Sequence, residues 1–296
     1  MELWVSGFNA WGQLDFRGES SLESPDLRTF NCALRDQHIE ILQATLSATL
    51  VRTSSGIKSA GCPDELIQFC TCKEEGLSSM AIGGNEKLAE FTGQYIKEYK
   101  SLKSYFEADG RQLGDFEQFK QITANQTTFT ALSIKGNVWT WGDGRYESCL
   151  GREVSAEYPA HLPSIVKDLS DLPTGPIRKI SSGGYVTAAL TSGNDLYLWG
   201  GRPGQTKLLG QLSGTPEPVD LDGLDLLDVA VGADNILALT TQHKLYVIGA
   251  NRNGQLGLDM EDLCEWREVP LPLDGKRIVS IHAGYKNSFL LVENIT

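Results

Sequence analysis

Apolar positions along this chain fall in short alternating runs, separated by polar turns rich in Gly, Asn and Ser. Such runs predict antiparallel strands rather than helices. Three of them end in nearly the same phrase, an apolar strand, an aromatic or apolar pair, then glycine: 136–142 (GNVWTWG), 193–200 (GNDLYLWG) and 243–249 (HKLYVIG). Each follows another short apolar strand, at 128–133, 187–191 and 235–240. The terminal glycines of the first two phrases lie 58 residues apart, and those of the last two 49. A repeat of this period marks one supersecondary unit being copied, with copies that bury their faces only against each other.

The fullest copy, 177–200, reads as strand, Gly-Gly turn, strand, polar turn and strand. Residues 119–142 and 226–249 align on it, and weaker copies lie at 39–61 and 79–93. Proline-containing loops at 158–163 and 215–219 lead into outer strands. Residues 278–292 supply two strands of a further unit, and residues 3–7 supply its third. The expectation is therefore one all-β domain over 1–296. It is a closed β-propeller of four-stranded antiparallel blades, with the N- and C-terminal strands sharing one blade. Six repeats are visible; a seventh would have to hide in 93–118. There Tyr95, Ile96, Tyr99, Leu102 and Phe106 recur at helical spacing, so 94–118 is expected to be a partly helical insertion.

Composition narrows the function. A net charge of −12, with 26 basic against 38 acidic residues, argues against direct nucleic-acid binding and favours a soluble chain and basic partners. Residues 1–7 lack a basic, apolar leader, and no run reaches the length of a membrane span. The reading is a cytoplasmic or nuclear chain, monomeric by itself, whose six cysteines stay reduced.

Candidate chemistry is sparse. Asp220, Asp222 and Asp228 around Gly223 suggest a calcium loop, but Leu224 stands where another carboxylate belongs, and strand–turn–strand explains the segment without metal. Cys62, Cys70 and Cys72 lack the paired spacing of structural zinc sites; on a strand, Cys70 and Cys72 share a face where small apolar residues belong. The four histidines are scattered, and His243 falls in a turn taken as equivalent to Asp195. No nucleophile elbow, phosphate loop or dinucleotide fingerprint is present. The expectation is a non-enzyme with no metal and no cofactor.

At these residues the chain resembles the regulator-of-chromosome-condensation repeat family. The likeness is strongest from about 119 onward and weaker over 30–93; 251–257 (NRNGQLG) matches the family's Gly-Gln-Leu-Gly loop, and 9–14 (NAWGQL) matches it less completely. The resemblance implies seven blades, where six are counted here, and a histidine before the small-apolar strand, where this chain has Tyr185, Asn235 and Lys286. It also implies three kinds of role: nucleotide exchange on the GTPase Ran, nucleosome binding, or service as an interaction platform. Partners in the family include a small zinc protein and chromatin-modifying enzymes. The compact repeat array looks most like the partner-type members, so the expectation is a scaffold that binds a protein partner; the alternative is an exchange factor for a small Ran-like GTPase.

The loops that follow each strand-ending glycine carry the candidate anchors: Trp11, Arg145, Tyr146, Arg202, Lys207 and Arg252. In a closed array these loops emerge on one rim. Trp, Tyr and Arg are the residue types that anchor protein interfaces.

Overall fold

Alternating apolar residues become strands because one face of each is buried against a neighbouring blade. A computed structural model describes residues 1–18, 24–73, 76–92, 95–201 and 212–295. It has the expected fold class, an all-β propeller of six antiparallel blades. The blades divide between two compact units, one of residues 1–75 and 226–296 and the other of 76–225. No helix among the described residues is long and apolar enough to cross a membrane.

The first unit holds three blades. Blade 1 joins the chain ends: Lys276–Ala283 pairs with Asn287–Asn294, which pairs with Glu2–Gly7, which pairs with Leu27–Arg35. Trp4 thus faces Leu290, and the terminal strands share a blade as expected. Blade 2 is Ile39–Ala44, Ala48–Thr53 and Gly56–Gly61, with three strands. Blade 6 is Leu226–Val231, Asn235–Thr240, Leu245–Gly249 and Leu263–Glu268. Two buried clusters fill the spaces between these blades. One gathers Trp4, Leu237, Val247, Leu256 and Leu290; the other gathers Leu3, Val5, Ile39, Val51 and Phe289.

The second unit also holds three. Blade 3 is Met80–Ile82, Leu88–Thr92, Tyr95–Tyr99 and Gly110–Asp115. Blade 4 is Phe119–Ala124, Thr128–Ser133, Val138–Gly142 and Ser164–Ile165. Blade 5 is Ile177–Gly183, Val186–Thr191, Leu196–Gly200 and Glu217–Val219. Trp141 stacks on Phe129 at 5.3 Å between blades 3 and 4, and Trp199 is buried with Leu132, Val138 and Ile180 between blades 4 and 5.

A bulge recurs near the start of the first strand in five blades, at 39–44, 119–124, 177–183, 226–231 and 276–283. In blades 4 and 6 the residue after it, Gln121 or Asp228, bonds to the first strand of the next blade. Gln121 accepts from Ile180 N (3.0 Å) and donates to Ile180 O (2.7 Å), and Asp228 accepts from Ile281 N (3.2 Å). These two junctions are thereby held in register by side chain as well as by packing.

Two expectations are corrected. The stretch 94–118 is partly helical as expected, at Leu102–Phe106 (α2), but it is not an insertion: the residues on either side of that helix supply the outer two strands of blade 3. Ile96 and Tyr99 are buried on a strand, with Tyr99 donating to Glu90 Oε1 at 2.8 Å. Cys70 and Cys72 lie on a helix, Glu65–Cys72 (α1), capped by Asp64, whose Oδ1 accepts from Ile67 N at 2.9 Å. Only Cys70 of the pair is buried.

Candidate interaction loops

Five of the six third strands end on a glycine, blade 3 being the exception with Tyr99, and they do so for a local reason. Gly7, Gly61 and Gly200 have φ of +112°, +88° and +122°, and a Cβ on them would overlap the carbonyl oxygens of Lys286, Ser47 and Tyr185. The close approach lets the next N–H bond back to the carbonyl before the second strand. Phe8, Cys62, Asp143, Gly201 and Ala250 donate to Lys286, Ser47, Thr127, Tyr185 and Asp234 at 2.7–3.1 Å. These five loops therefore leave their blades through the same return bond.

In the first unit two of these loops are built alike. Residues 9–14 and 251–256 share the pattern Asn-x-x-Gly-Gln-Leu. Asn9 Oδ1 accepts from Leu14 N at 2.9 Å, and Asn251 Oδ1 from Leu256 N at 2.8 Å. The glutamine amides accept from the N–H two residues earlier, Gln13 from Trp11 and Gln255 from Asn253, both at 3.0 Å. Asn251 also donates to the carbonyls of Leu258 and Met260, each at 2.7 Å, and Gln13 to those of Phe8 and Leu46, at 2.8 and 3.0 Å. All four amide side chains are buried, so the loops are rigid clamps whose polar groups are paired inside.

What the clamps leave outside are Trp11, 55% exposed, and Arg252, whose side chain is 86% exposed. Asp26 ties the two loops together: Oδ1 accepts from Asn9 N (2.9 Å) and Oδ2 from Asn253 Nδ2 (2.8 Å). Beside Arg252 lies an open depression of about 310 Å³ lined by Arg28, Asn251, Met260, Glu261 and Asp262. The contact between Arg252 and Asp262, at 3.9 Å, is long, and both groups face water, so it holds the guanidinium weakly. Sequence reasoning selected Trp11 and Arg252 but missed Asp26, 17 positions from the asparagine it caps.

In the second unit, Arg145 and Tyr146 lie in the turn after Gly142. Arg145 folds back on Asp143 at 2.6–3.0 Å, which pulls the Asp143 pKa down and raises that of the guanidinium. Tyr146 lies 5.5 Å from the Tyr185 ring. Nearby, Arg152 was not anticipated: only 9% exposed, it donates to the carbonyls of Thr140, Glu153, Tyr158, Pro159 and Leu162. It is a structural arginine that gathers a loop's carbonyls. Arg202 and Lys207 lie outside the described residues.

Other candidates resolve into structure. Asp220 accepts from Gly223 N at 2.8 Å, and Asp228 is occupied at the blade 6–blade 1 junction. Burial pushes the Cys70 thiol up to about 11, leaving it protonated and unreactive. His243 sits at φ +62°, matching Asn194 (φ +76°) rather than Asp195, with Nδ1 2.8 Å from Ile278 O. Among the described residues no group of three or more His, Cys, Asp or Glu side chains is arranged to hold a metal.

Comparison with known proteins agrees with this architecture. The family model of the regulator of chromosome condensation (RCC1) repeat matches residues 135–190 and 242–291, and a second model of the repeat matches 227–255. The chain is 34% identical over 174 residues to the RCC1 domain-containing protein RUG3, mitochondrial, of Arabidopsis thaliana, a match covering 55% of this chain and 37% of that protein. It is 32% identical over 146 residues to the human regulator of chromosome condensation, covering 48% of this chain and 33% of the relative. The matched stretch thus spans about a third of either relative's length. Among solved structures, Prp20p of Saccharomyces cerevisiae superposes with a TM-score of 0.73 at 13% identity, covering 100% of this chain and 92% of the other. Human WBSCR16 gives 0.65 at 16%, covering 100% and 99%. With their strand-ending glycines and the clamped Gly-Gln-Leu loop at 251–256, residues 135–190 and 227–291 carry the repeat of the regulator of chromosome condensation.

Proposed function

We propose that this propeller is a non-enzymatic scaffold that binds a partner protein through the loops after its third strands, with Trp11 and Arg252 as anchors. The observation that carries the reading is the pair of clamped loops joined by Asp26, which spend their buried amides holding a tryptophan and an arginine in water. An exposed indole contributes little to folding, while Trp and Arg dominate the energetics of interfaces. Arg145 and Tyr146 are further anchors in the second unit, and Arg202 and Lys207 complete the proposed set. The partner is a protein, with a small zinc protein, a chromatin-modifying enzyme and a small GTPase as the classes to examine, in the cytoplasm or nucleus. Affinity purification with mass spectrometry identifies it; Trp11→Ala and Arg252→Ala should each weaken its binding by about tenfold or more.

A second reading, nucleotide exchange on a Ran-like GTPase, draws support from likeness to the human regulator of chromosome condensation and to Prp20p, whose structure was described with its binding to Gsp1p and histones. Accelerated release of fluorescent GDP from Ran by the purified chain would establish it. Unchanged release leaves the scaffold.

A further inference from the structure

Five blades have four strands and blade 2 has three. Its third strand, Gly56–Gly61, pairs with Ala48–Thr53 on one side, and among the described residues no strand pairs with the other. In blade 6 the same edge is covered by Leu263–Glu268, and in blade 5 by Glu217–Val219. In blade 2 the chain turns back instead. Cys62 N donates to Ser47 O (2.9 Å), Ser47 Oγ donates to Asp64 Oδ2 (3.1 Å), and α1 then packs on the first two strands.

The hairpin register says which backbone groups this leaves open. Thr53 faces Gly56 across a two-residue turn, Val51 faces Lys58 and Thr49 faces Ala60. Bonded and non-bonded pairs alternate in an antiparallel ladder, so the N–H and C=O of Ile57 and Ser59 point outward. Neither residue has a hydrogen bond to the outer side among the described residues. Gly61 lies against Gln13, which ends the opening there. Lys58, exposed between the two, acts on Asp36 through space but forms no ion pair among the described residues.

We propose that this edge takes an extended, acidic segment of a protein partner as the fourth strand of blade 2. The segment runs antiparallel to Gly56–Gly61, bonds to the backbone of Ile57 and Ser59, and sets a carboxylate opposite Lys58. Strand addition of this kind draws affinity from main-chain bonds and selectivity from side chains such as Lys58. A second copy of this chain suits the edge poorly. In an antiparallel pair it would bring Lys58 beside its own counterpart, like charge against like. The contact uses neither Trp11 nor Arg252, so it stands or falls separately from the loop surface.

The test is a titration of the isotope-labelled chain with the capped hexapeptide Val-Thr-Val-Glu-Val-Thr, read by amide shifts and hydrogen exchange. The expected result is saturable change and slowed exchange confined to residues 57–59, within about 5 mM peptide, a range that resolves a Kd near 1 mM. Ser59→Pro, which deletes the outward N–H, should abolish it. Lys58→Glu, which leaves the backbone intact, should weaken it about fivefold, as should Lys in place of Glu in the peptide. Four results overturn the proposal: no change at residues 57–59, change centred elsewhere, equal binding by both variants, or slow exchange at Ile57 and Ser59 before peptide is added.

Discussion

Gly200 illustrates how much one atom decides in this fold. Its φ of +122° and the Tyr185 carbonyl against it exclude any Cβ, whereas Gly275, at φ +70°, has open space around it. Gly200→Ala should therefore destabilise the chain by about 2 kcal/mol or more, and Gly275→Ala by about 1 kcal/mol, from backbone strain alone. Urea unfolding of the two variants measures the difference, and equal losses would refute the steric account. Glu2 makes a second residue-level case. Burial by itself would raise its pKa, but hydrogen bonds from Arg35, Trp4 and Lys276 outweigh burial and lower it from 4.5 to about 2. A depressed folded pKa means that ionised Glu2 stabilises the protein above about pH 4.5, and that this contribution is lost as pH falls through about 2. The stability gap between wild type and Glu2→Gln should be largest at neutral pH and narrow below pH 4.5; a gap independent of pH would show that the carboxylate's charge is not what holds the cluster. The glycines were legible in the sequence because their backbone requirement falls at the same point of five of the six blades. Asp26 was not, because its two partners, Asn9 and Asn253, come near it only in the folded chain.

Among the elements, the loop clamps and the short helices behave in opposite ways. Residues 9–14 and 251–256 could be paired by eye, and their hydrogen bonds prove equivalent. Asn251→Ala removes the acceptor of Leu256 N and the donor to Leu258 and Met260, and should lower stability by about 2–3 kcal/mol. Arg252→Ala, one residue along, should change stability by less than about 0.5 kcal/mol, since its side chain is exposed. Thermal and urea melts separate the two; similar losses would mean that Arg252 is structural. The helix α1 escaped because its eight residues look much like a short strand, although Asp64 and Glu65 form a legible helix start. The outer two strands of blade 3 escaped for the converse reason. Tyr95, Ile96 and Tyr99 chance to follow helical spacing into the real turn of helix at Leu102–Phe106, and the charged Lys97 and Glu98 between them obscured the alternation of an outer strand.

For the molecule as a whole, the repeat period was enough to give six blades and a blade shared by the terminal strands, because each copy needs the next to bury its face. The proposed function rests on what the copies do not share. Loops 9–14 and 251–256 spend buried asparagine and glutamine on rigidity and present Trp11 and Arg252, and blade 2 stops one strand short. Surface substitutions at the loops should thus leave the fold intact while removing binding, which separates this account from one in which those residues support the blades. The most direct measurement is the affinity of the co-purified partner for the wild-type chain and for the Trp11→Ala/Arg252→Ala double variant, with melting curves recorded for both. The account predicts coincident melts and binding weakened by about a hundredfold or more. Unchanged affinity in a variant that melts like wild type would contradict it.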